Sequence, residues 1–489
     1  MSFQTEPIII EKIKVENLLD LPDFILEFIL LKLTFFERLA FSMLSRRANR
    51  MSLRMNLPPI TTCNVEVEGT ITVQANEVYF CIFPPNDPRL KLKGGHINVE
   101  YQKAGTNVSS DWKYSMQLSN IKSFIANLFL IGRCDKIRSL RFGWNSLLFP
   151  MAFINEIVES MPIEEINLDS RQQHVRSTIE DMREIANNLP PAKKLYLTFN
   201  PFKTCGQDDS TKKANILRQR TAFFTKSFDA VYFNWWRLNL DDLFHMTSKK
   251  ILILDSLCPT GVNSYLKHWA TGGVPTLVQL TVCNGTKFRI RCLQKVLRGL
   301  YYIKNRRTYT TEAYLDDMDG CEDTDDGYDF CSQDGTLASV FFTDNMMHMY
   351  AWPKPDVIIE KTNPCRFIIR KMNVHFNGKS TIHPQTQKLT VHMKEGSDFH
   401  FSCSFHIQRE DVDDLRYQCE IKRSGILFET FEDDMGDFEP SFDLQSYDSP
   451  SYTAPKGVLK RGQYEVTSVI LDEHDNHFVD LEWTLIVTE

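Results

Sequence analysis

Residues 137–142 read IRSLRF, with apolar side chains at the first, fourth and sixth places and polar ones between. The template returns as Ile163-x-x-Ile166-x-Leu168, Ala192-x-x-Leu195-x-Leu197, Phe228-x-x-Val231-x-Phe233 and Leu277-x-x-Leu280-x-Val282. A further copy lies in KKILILD (residues 249–255), carried either by Ile251 and Ile253 or by Leu252 and Leu254. The copies are spaced by about 20 to 36 residues, around the leucine-rich-repeat range but irregular. FPMAFINEIVESM, TIEDMREIANNL and GVNSYLKHWATG lie between them and carry helical spacing. Strand and helix alternating in this way predict a curved α/β leucine-rich-repeat-like solenoid, whose units must stack because none buries its own apolar edge alone.

If the apolar positions of each short strand point inward, period-two alternation sends their neighbours outward. Those neighbours are Ser139, Arg141, Glu165, Asn167, Asp169, Lys194, Tyr196, Thr198, Tyr232, Asn234, Gln279 and Thr281, followed by Trp235 and Trp236 just past the fourth strand. A polar face with two tyrosines suits protein binding, or is simply the solvated side of a sheet. We take Arg141, Asn167, Asp169, Tyr196, Thr198, Tyr232, Asn234, Trp235 and Gln279 as the candidate target-binding residues; Trp235 and Trp236 could instead cap the core.

Beyond Trp352-Pro353-Lys354-Pro355 the pattern changes to closely spaced strands such as KLTVHMK, SDFHFSCSFHIQ and GQYEVTSVILD, which predict an antiparallel β-sandwich over residues 353–489. Gly462-x-Tyr464-x-Val466 resembles the tyrosine-bearing strand of immunoglobulin-like sandwiches. The acidic stretch FETFEDDMGDFEPSFDLQSYDSPSYTAP (residues 428–455) predicts a solvated, mobile loop.

Upstream of the repeats, residues 61–102 predict strands, and MQLSNIKSFIANLFLIG (residues 116–132) predicts a helix. Residues 21–50, LPDFILEFILLKLTFFERLAFSMLSRRANR, hold two short helices that are apolar on nearly every side. Pro22 suits a first turn, and Ile25, Leu26, Ile29, Leu30 and Leu33 recur at helical spacing with Phe24 and Phe28 widening the stripe. Thr34-Phe35-Phe36-Glu37 is a capping box that should start the second helix, which runs through Leu39 and Met43. So wide an apolar surface at a chain end calls for burial by the rest of the chain or by another protein.

This Leu-Pro-led helix pair ending in LSRRANR resembles an F-box of the large nematode families. LNLDDLFHMTSKKILILDSLCPTGVNSYLKHWATGGVPTLVQLTV, with its Leu266 to Trp269 helix, resembles the F-box-associated region of the same families over roughly residues 228–352. The resemblance implies an F-box helical module over residues 15–58 and a strand-rich start followed by the repeat-like F-box-associated domain over 59–352; it ends before the sandwich, which the strand pattern alone makes a third domain over 353–489. It implies a substrate-receptor subunit of an SCF-type cullin-RING ubiquitin ligase, holding a Skp-type adaptor through Leu21, Pro22, Ile25, Leu26, Ile29, Leu30, Leu33, Leu39 and Met43. The solenoid or the sandwich would hold a target protein whose identity stays open. The alternative is a non-catalytic scaffold that uses the solenoid without recruiting a ligase.

Composition is consistent with protein partners. The 489 residues are 42% hydrophobic and 24% charged, with a formal charge of −7 that argues against nucleic acid as the primary partner. The N-terminus has no secretory pattern, no run approaches a membrane span, and the twelve cysteines therefore predict reduced thiols in a cytoplasmic, or nuclear, protein. The sequons at Asn107 and Asn284 are then chance matches. There is no P-loop, nucleophile elbow, zincin motif or Cys-x-x-Cys pair, so neither an enzyme nor a cofactor is expected. His400, Cys403 and His406 sit at metal-like intervals, but on a strand the cysteine faces away from both histidines. The run LDDMDGCEDTDDGYD fails as a calcium loop: with Asp317, Asp319 and Gly320 in register, Leu315 occupies the first ligand position.

Overall fold

The computed structural model describes residues 20–33, 35–42, 44–55, 60–76, 78–83, 96–103, 113–117, 121–143, 149–159, 161–169, 176–203, 210–234, 238–254, 257–283, 292–305, 327–342, 346–382 and 389–489. The chain forms two compact units, Met1–Trp236 and Arg237–Glu489.

The first unit opens with three helices, α1 (Asp23–Lys32), α2 (Phe35–Ser42) and α3 (Arg46–Arg54). Pro22 precedes α1, and its carbonyl accepts from the N–H groups of Ile25 and Leu26. Ser45 caps α3 by accepting from Ala48 N–H at 3.1 Å, which satisfies one of the donors every helix start leaves open. The expected capping residue Thr34 lies outside the described residues.

An antiparallel meander follows: β1 (Cys63–Val67), β2 (Ile71–Ala75), β3 (Val78–Ile82), β4 (His96–Lys103) and β5 (Lys113–Gln117). Helix α4 (Ile121–Ile131) then carries the chain to β6 (Ile137–Phe142), parallel to β1. From there strands and helices alternate: α5 (Met151–Val158), β7 (Ile163–Leu168), α6 (Arg176–Asn187), β8 (Ala192–Leu197), α7 (Ser210–Phe224) and β9 (Ala230–Asn234). Each strand from β6 to β9 pairs in parallel with the next, in sequence order. The template residues Leu140, Phe142, Ile166, Leu168, Leu195, Leu197 and Phe233 are wholly buried, because a helix covers that face after every strand.

The second unit begins with α8 (Leu240–Phe244), β10 (Lys250–Leu254), α9 (Pro259–Ala270) and β11 (Gln279–Cys283), with β10 and β11 parallel. Burial alternates along β10 so that Ile251 and Ile253 point inward, which decides between the two readings of KKILILD. After α10 (Leu293–Val296) come β12 (Tyr302–Asn305), β13 (Gly327–Cys331), β14 (Leu337–Phe342) and β15 (Met346–Ala351). These four strands are joined antiparallel, and β15 pairs antiparallel with β11. The sheets are therefore of mixed type: β10 and β11 are parallel, whereas the strands after α10 are joined antiparallel, and the solenoid of parallel repeats expected from the motif is not shown.

The last part of this unit is built from β16 (Phe367–Phe376), β17 (Lys379–Ile382), β18 (Leu389–Lys394), β19 (Asp398–Ile407), β20 (Val412–Arg423), β21 (Ile426–Phe438), β22 (Gln445–Asp448), β23 (Tyr452–Thr453), β24 (Gly462–Leu471) and β25 (His477–Thr488). One sheet runs β17-β16-β19-β22 with β23 beside β19; the other runs β18-β25-β24-β20-β21. Both contribute to one core, in which Trp483 donates its ring N–H to Ser468 Oγ at 3.1 Å and Tyr417 shares that hydroxyl at 2.9 Å. Burying an aromatic ring this way stabilises by about 1.5–3 kcal/mol provided its polar tip finds a partner. Tyr464 is buried and donates its hydroxyl to Lys460 O at 2.6 Å.

Two expectations for this region need correction. The sandwich is not wholly antiparallel, since β18 runs parallel to β25. Nor is the acidic stretch 428–455 a loop: it forms most of β21 together with β22 and β23. The acids stand on an edge strand that pairs with β20 on one side, while Phe431, Met435 and Phe438 reach the core. Charge on an edge strand discourages pairing with other chains, so a run that reads as solvated can still be a strand.

Candidate functional site

The N-terminal helices divide their apolar residues between two destinations. Leu26, Leu30 and Leu39 are wholly buried; Leu21, Ile25, Ile29 and Leu33 are half-buried, and Pro22 is exposed. Met43 lies outside the described residues. Helices α2 and α3 rest on α4, where Asn49 donates to Asn127 Oδ1 at 3.3 Å. What remains outside is Phe24, 71% exposed, Phe28, 63% exposed, and Leu31, 60% exposed, which recur at helical spacing along one side of α1, with Leu44 exposed as well. Arg47 holds the start of α1 by donating to Asp23 at 2.5 Å and to Leu21 O at 3.1 Å, and its hydrogen bond keeps the Asp23 carboxyl below the usual range. Of the residues expected to meet an adaptor, Leu26 and Leu30 on α1 and Leu39 on α2 are core, whereas Phe24 and Phe28, expected only to widen the stripe, and Leu31 stand outside.

A second arrangement lies on the exposed face of β6 to β9. Arg141, Asn167, Tyr196 and Tyr232 occupy consecutive register positions across the four strands. Arg141 pairs with Asp169 at 2.5 Å and with Glu66 at 3.4 Å, and Thr198 Oγ1 donates to Asp169 Oδ1 at 3.2 Å. Asn167 donates to Ser139 Oγ at 2.9 Å. Tyr196 and Tyr232 stack with ring centroids 4.2 Å apart and planes 4° apart, and Asn234 follows at the end of β9, half-buried. Trp235 and Trp236 lie outside the described residues. Gln279 does not share this exposed row. It is buried at 8% exposure on β11, and Thr281 beside it is buried against His348 Nδ1 at 3.2 Å. Both faces of that sheet are covered, and burial pushes the His348 imidazole down to about 4.

The sandwich offers no metal site at the positions considered. Phe399, Phe401, Cys403, Phe405 and Ile407 face the core, while His400 and His406 are half-buried on the other side of β19, and His400 stacks on His375 at 4.6 Å. Burial pushes the Cys403 thiol up to about 12. Among the described residues no group of three or more His, Cys, Asp or Glu side chains is placed to hold a metal. No described helix is long and apolar enough to cross a membrane. Most of the acidic run LDDMDGCEDTDDGYD, and both sequons, lie outside the described residues.

Inside the second unit the sandwich is bonded to the sheet before it. Arg409, 6% exposed, donates to Gly335 O at 2.6 Å and to the carbonyls of Glu360, Lys361 and Asn363 at 3.0–3.3 Å. Arg366 pairs with buried Asp472 at 2.5 Å. A cavity of about 490 Å³ opens nearby, lined among others by Lys304, Asn305, Arg370, Phe478 and Asp480.

Comparison with known proteins matches three segments. Residues 18–59 match the F-box domain, residues 220–282 the F-box associated family, and residues 351–489 the RHO protein GDP dissociation inhibitor family. The probable rho GDP-dissociation inhibitor of Caenorhabditis elegans is 38% identical over 141 residues, covering 27% of this chain and 74% of the relative. Rho GDP-dissociation inhibitor 1 of Rattus norvegicus is 28% identical over 101 residues, 21% of this chain and 50% of that protein. The Rho GDP-dissociation inhibitor of Saccharomyces cerevisiae is 30% identical over 94 residues, 19% of this chain and 46% of that protein. The chain thus spans about half the length of these last two relatives. Sequence reasoning found the strands of this third segment and missed its kinship, since alternating apolar residues specify a sandwich and carry no trace of its partner.

Proposed function

Because the chain belongs, through residues 351–489, to the Rho GDP-dissociation inhibitor family, and carries an F-box as well, we propose that it is a receptor subunit of an SCF-type ubiquitin ligase whose target is a Rho-type GTPase. The F-box supports the receptor role, with the exposed face of α1 meeting a Skp-type adaptor. The C-terminal sandwich would hold the GTPase in its GDP-bound state, in keeping with what its relatives are named for. The parallel run β6 to β9 would be a repeat-like part of the receptor, with the Arg141 and Tyr196 face as an auxiliary contact. On this reading the domain limits would lie near residues 58 and 352. The chain itself would break no bond; it would raise the effective concentration of the GTPase beside a ubiquitin-charged enzyme in the cytoplasm.

The observation that carries this reading is the presence of an F-box and a Rho GDP-dissociation inhibitor domain in one polypeptide. The test is reconstitution: full chain, Skp-type adaptor, cullin-RING core and a GDP-loaded Rho-type GTPase, with ubiquitin transfer to the GTPase as readout. Transfer should require the chain and fall when excess nematode Rho GDP-dissociation inhibitor competes for the GTPase. Adaptor binding without any GTPase binding would overturn the target assignment. GTPase binding without the adaptor would leave a scaffold that recruits no ligase.

A further inference from the structure

The cavity of about 490 Å³ beside Lys304 and Asn305 runs along the open side of a strand. It touches residues 303–305 of β12, 367–370 of β16, and 476–481 at the start of β25. Successive side chains of a strand point to opposite faces, so a hollow that meets three or four in a row lies against strand edges and not under one face. β12 ends its sheet, with β13 as its one neighbour strand among the described residues. Across the cleft β16 pairs with β19, and β17 lies beside it only from Asn373 onward. An edge of this kind presents backbone N–H and C=O groups to whatever enters.

One side chain in the cleft is fixed as an acceptor. Trp352 donates its ring N–H to Ser339 Oγ at 2.7 Å, and the Ser339 hydroxyl donates to Asp329, which is wholly buried. The second oxygen of Asp329 accepts from Asn305 Nδ2 at 2.9 Å. A carboxylate only accepts, so the Asn305 amide is held in this orientation and its Oδ1 points elsewhere. Asn305 is 2% exposed, and Oδ1 is buried with no hydrogen-bond partner among the described residues. Native structures rarely leave such an acceptor without a donor. The cleft also holds half-buried Ile303 and Phe478, the latter stacked 5.7 Å from Phe367. Arg370 pairs with Glu360 at 2.6 Å and His477 bonds Asp480 at 3.0 Å, so these groups are matched within the cleft and suit a guest with an uncharged centre.

We propose that the cleft binds an extended peptide segment of a partner protein, which adds to β12 as a further strand. Its backbone pairs with Tyr302–Asn305, one of its N–H groups donates to Asn305 Oδ1, and an apolar side chain near its centre lies on Ile303 and Phe478. Main-chain pairing then supplies affinity, and the hollows for alternate side chains supply selectivity. The volume falls inside the range of about 300–1,000 Å³ usual for ligand sites. A second copy's β12 lies in a cleft of its own, so two such edges are kept from meeting. The site does not depend on the sandwich holding a GTPase.

The experiment pans the immobilised full chain against phage-displayed random linear peptides, then synthesises the enriched sequence for fluorescence anisotropy and amide hydrogen exchange. Binding should slow exchange at residues 302–305. Methylating the peptide's backbone nitrogens one at a time should weaken binding by about tenfold or more at alternate positions and leave those between nearly unchanged, as strand pairing requires. Asn305→Leu and Phe478→Ala should each weaken it by about tenfold. A selection whose peptides protect only other surfaces, or that enriches none, overturns the proposal, as does a methylation series without alternation. Dimerisation of the chain that protects residues 302–305 with no peptide present would give the edge to a second copy and overturn it too. The exchange map and methylation series use the unmutated chain, so they decide the matter even if the variants misfold.

Discussion

A buried imidazole shows how one residue can read correctly and still be misplaced. Thr281 points away from Leu280 and Val282, as alternation requires, but the face it joins is covered, and there it meets His348. Alternation tells which side a residue takes; only the fold tells whether that side sees water. His348 carries a testable consequence. Its folded pKa of about 4 lies below the ordinary histidine value near 6.5, so the unfolded chain binds the extra proton first as pH falls. Stability of the second unit should be fully present above pH 6.5 and should decline as pH drops toward 4, by about 3 kcal/mol in total. Denaturant midpoints between pH 4 and 7 should show this slope, and His348→Gln should flatten it; an unchanged slope in the variant would assign the acid sensitivity to other groups.

At the scale of elements, the helices and strands carrying the repeated template were legible because period and template agree, whereas the destination of each apolar side chain was not. Helix α1 illustrates the limit: a stripe wrapping most of a helix fixes that both sides are used, and packing on the rest of the domain decides which leucines become core. The two groups should separate in experiment. Phe24→Ala with Phe28→Ala should weaken Skp-type adaptor binding by about thirtyfold or more, as truncated interface anchors do, with little change in melting temperature. Leu26→Ala with Leu30→Ala should instead cost about 2–5 kcal/mol per site in stability, because each leaves a cavity in a filled core. Isothermal titration and thermal melts on the same two proteins make the comparison; equal loss of affinity in both, with both stable, would mean the adaptor takes the other side of α1. Strand β21 failed for the opposite reason: its acids mark a solvated edge, and composition alone reads a solvated edge as a loop.

For the molecule as a whole, the order of modules was readable from motifs at the N-terminus and in the middle, while the partner proposed for the last module rests on kinship alone. Where that module ends is also an energetic question, and Arg409 makes it measurable. Held at φ 77° and almost wholly buried, it sends one arm of its guanidinium to Gly335 O and the other to the carbonyls of Glu360, Lys361 and Asn363. Gln408 fixes the same 359–365 segment through the N–H groups of Ile359 and Glu360 and the carbonyls of Asn363 and Cys365. A protein of residues 354–489 keeps every one of these bonds except that to Gly335, so we expect it to fold as a β-rich domain of lower stability than residues 237–489. The difference attributable to the arginine should be about 1.5–3 kcal/mol, the worth of a hydrogen bond from a charged donor. Arg409→Met in the longer protein should therefore cost more than in the shorter one by that amount, and a double-mutant comparison of urea midpoints isolates it. Equal costs in the two proteins would show that the bond to Gly335 contributes nothing. Failure of the shorter protein to fold at all would show that the sandwich depends on the sheet before it for its core.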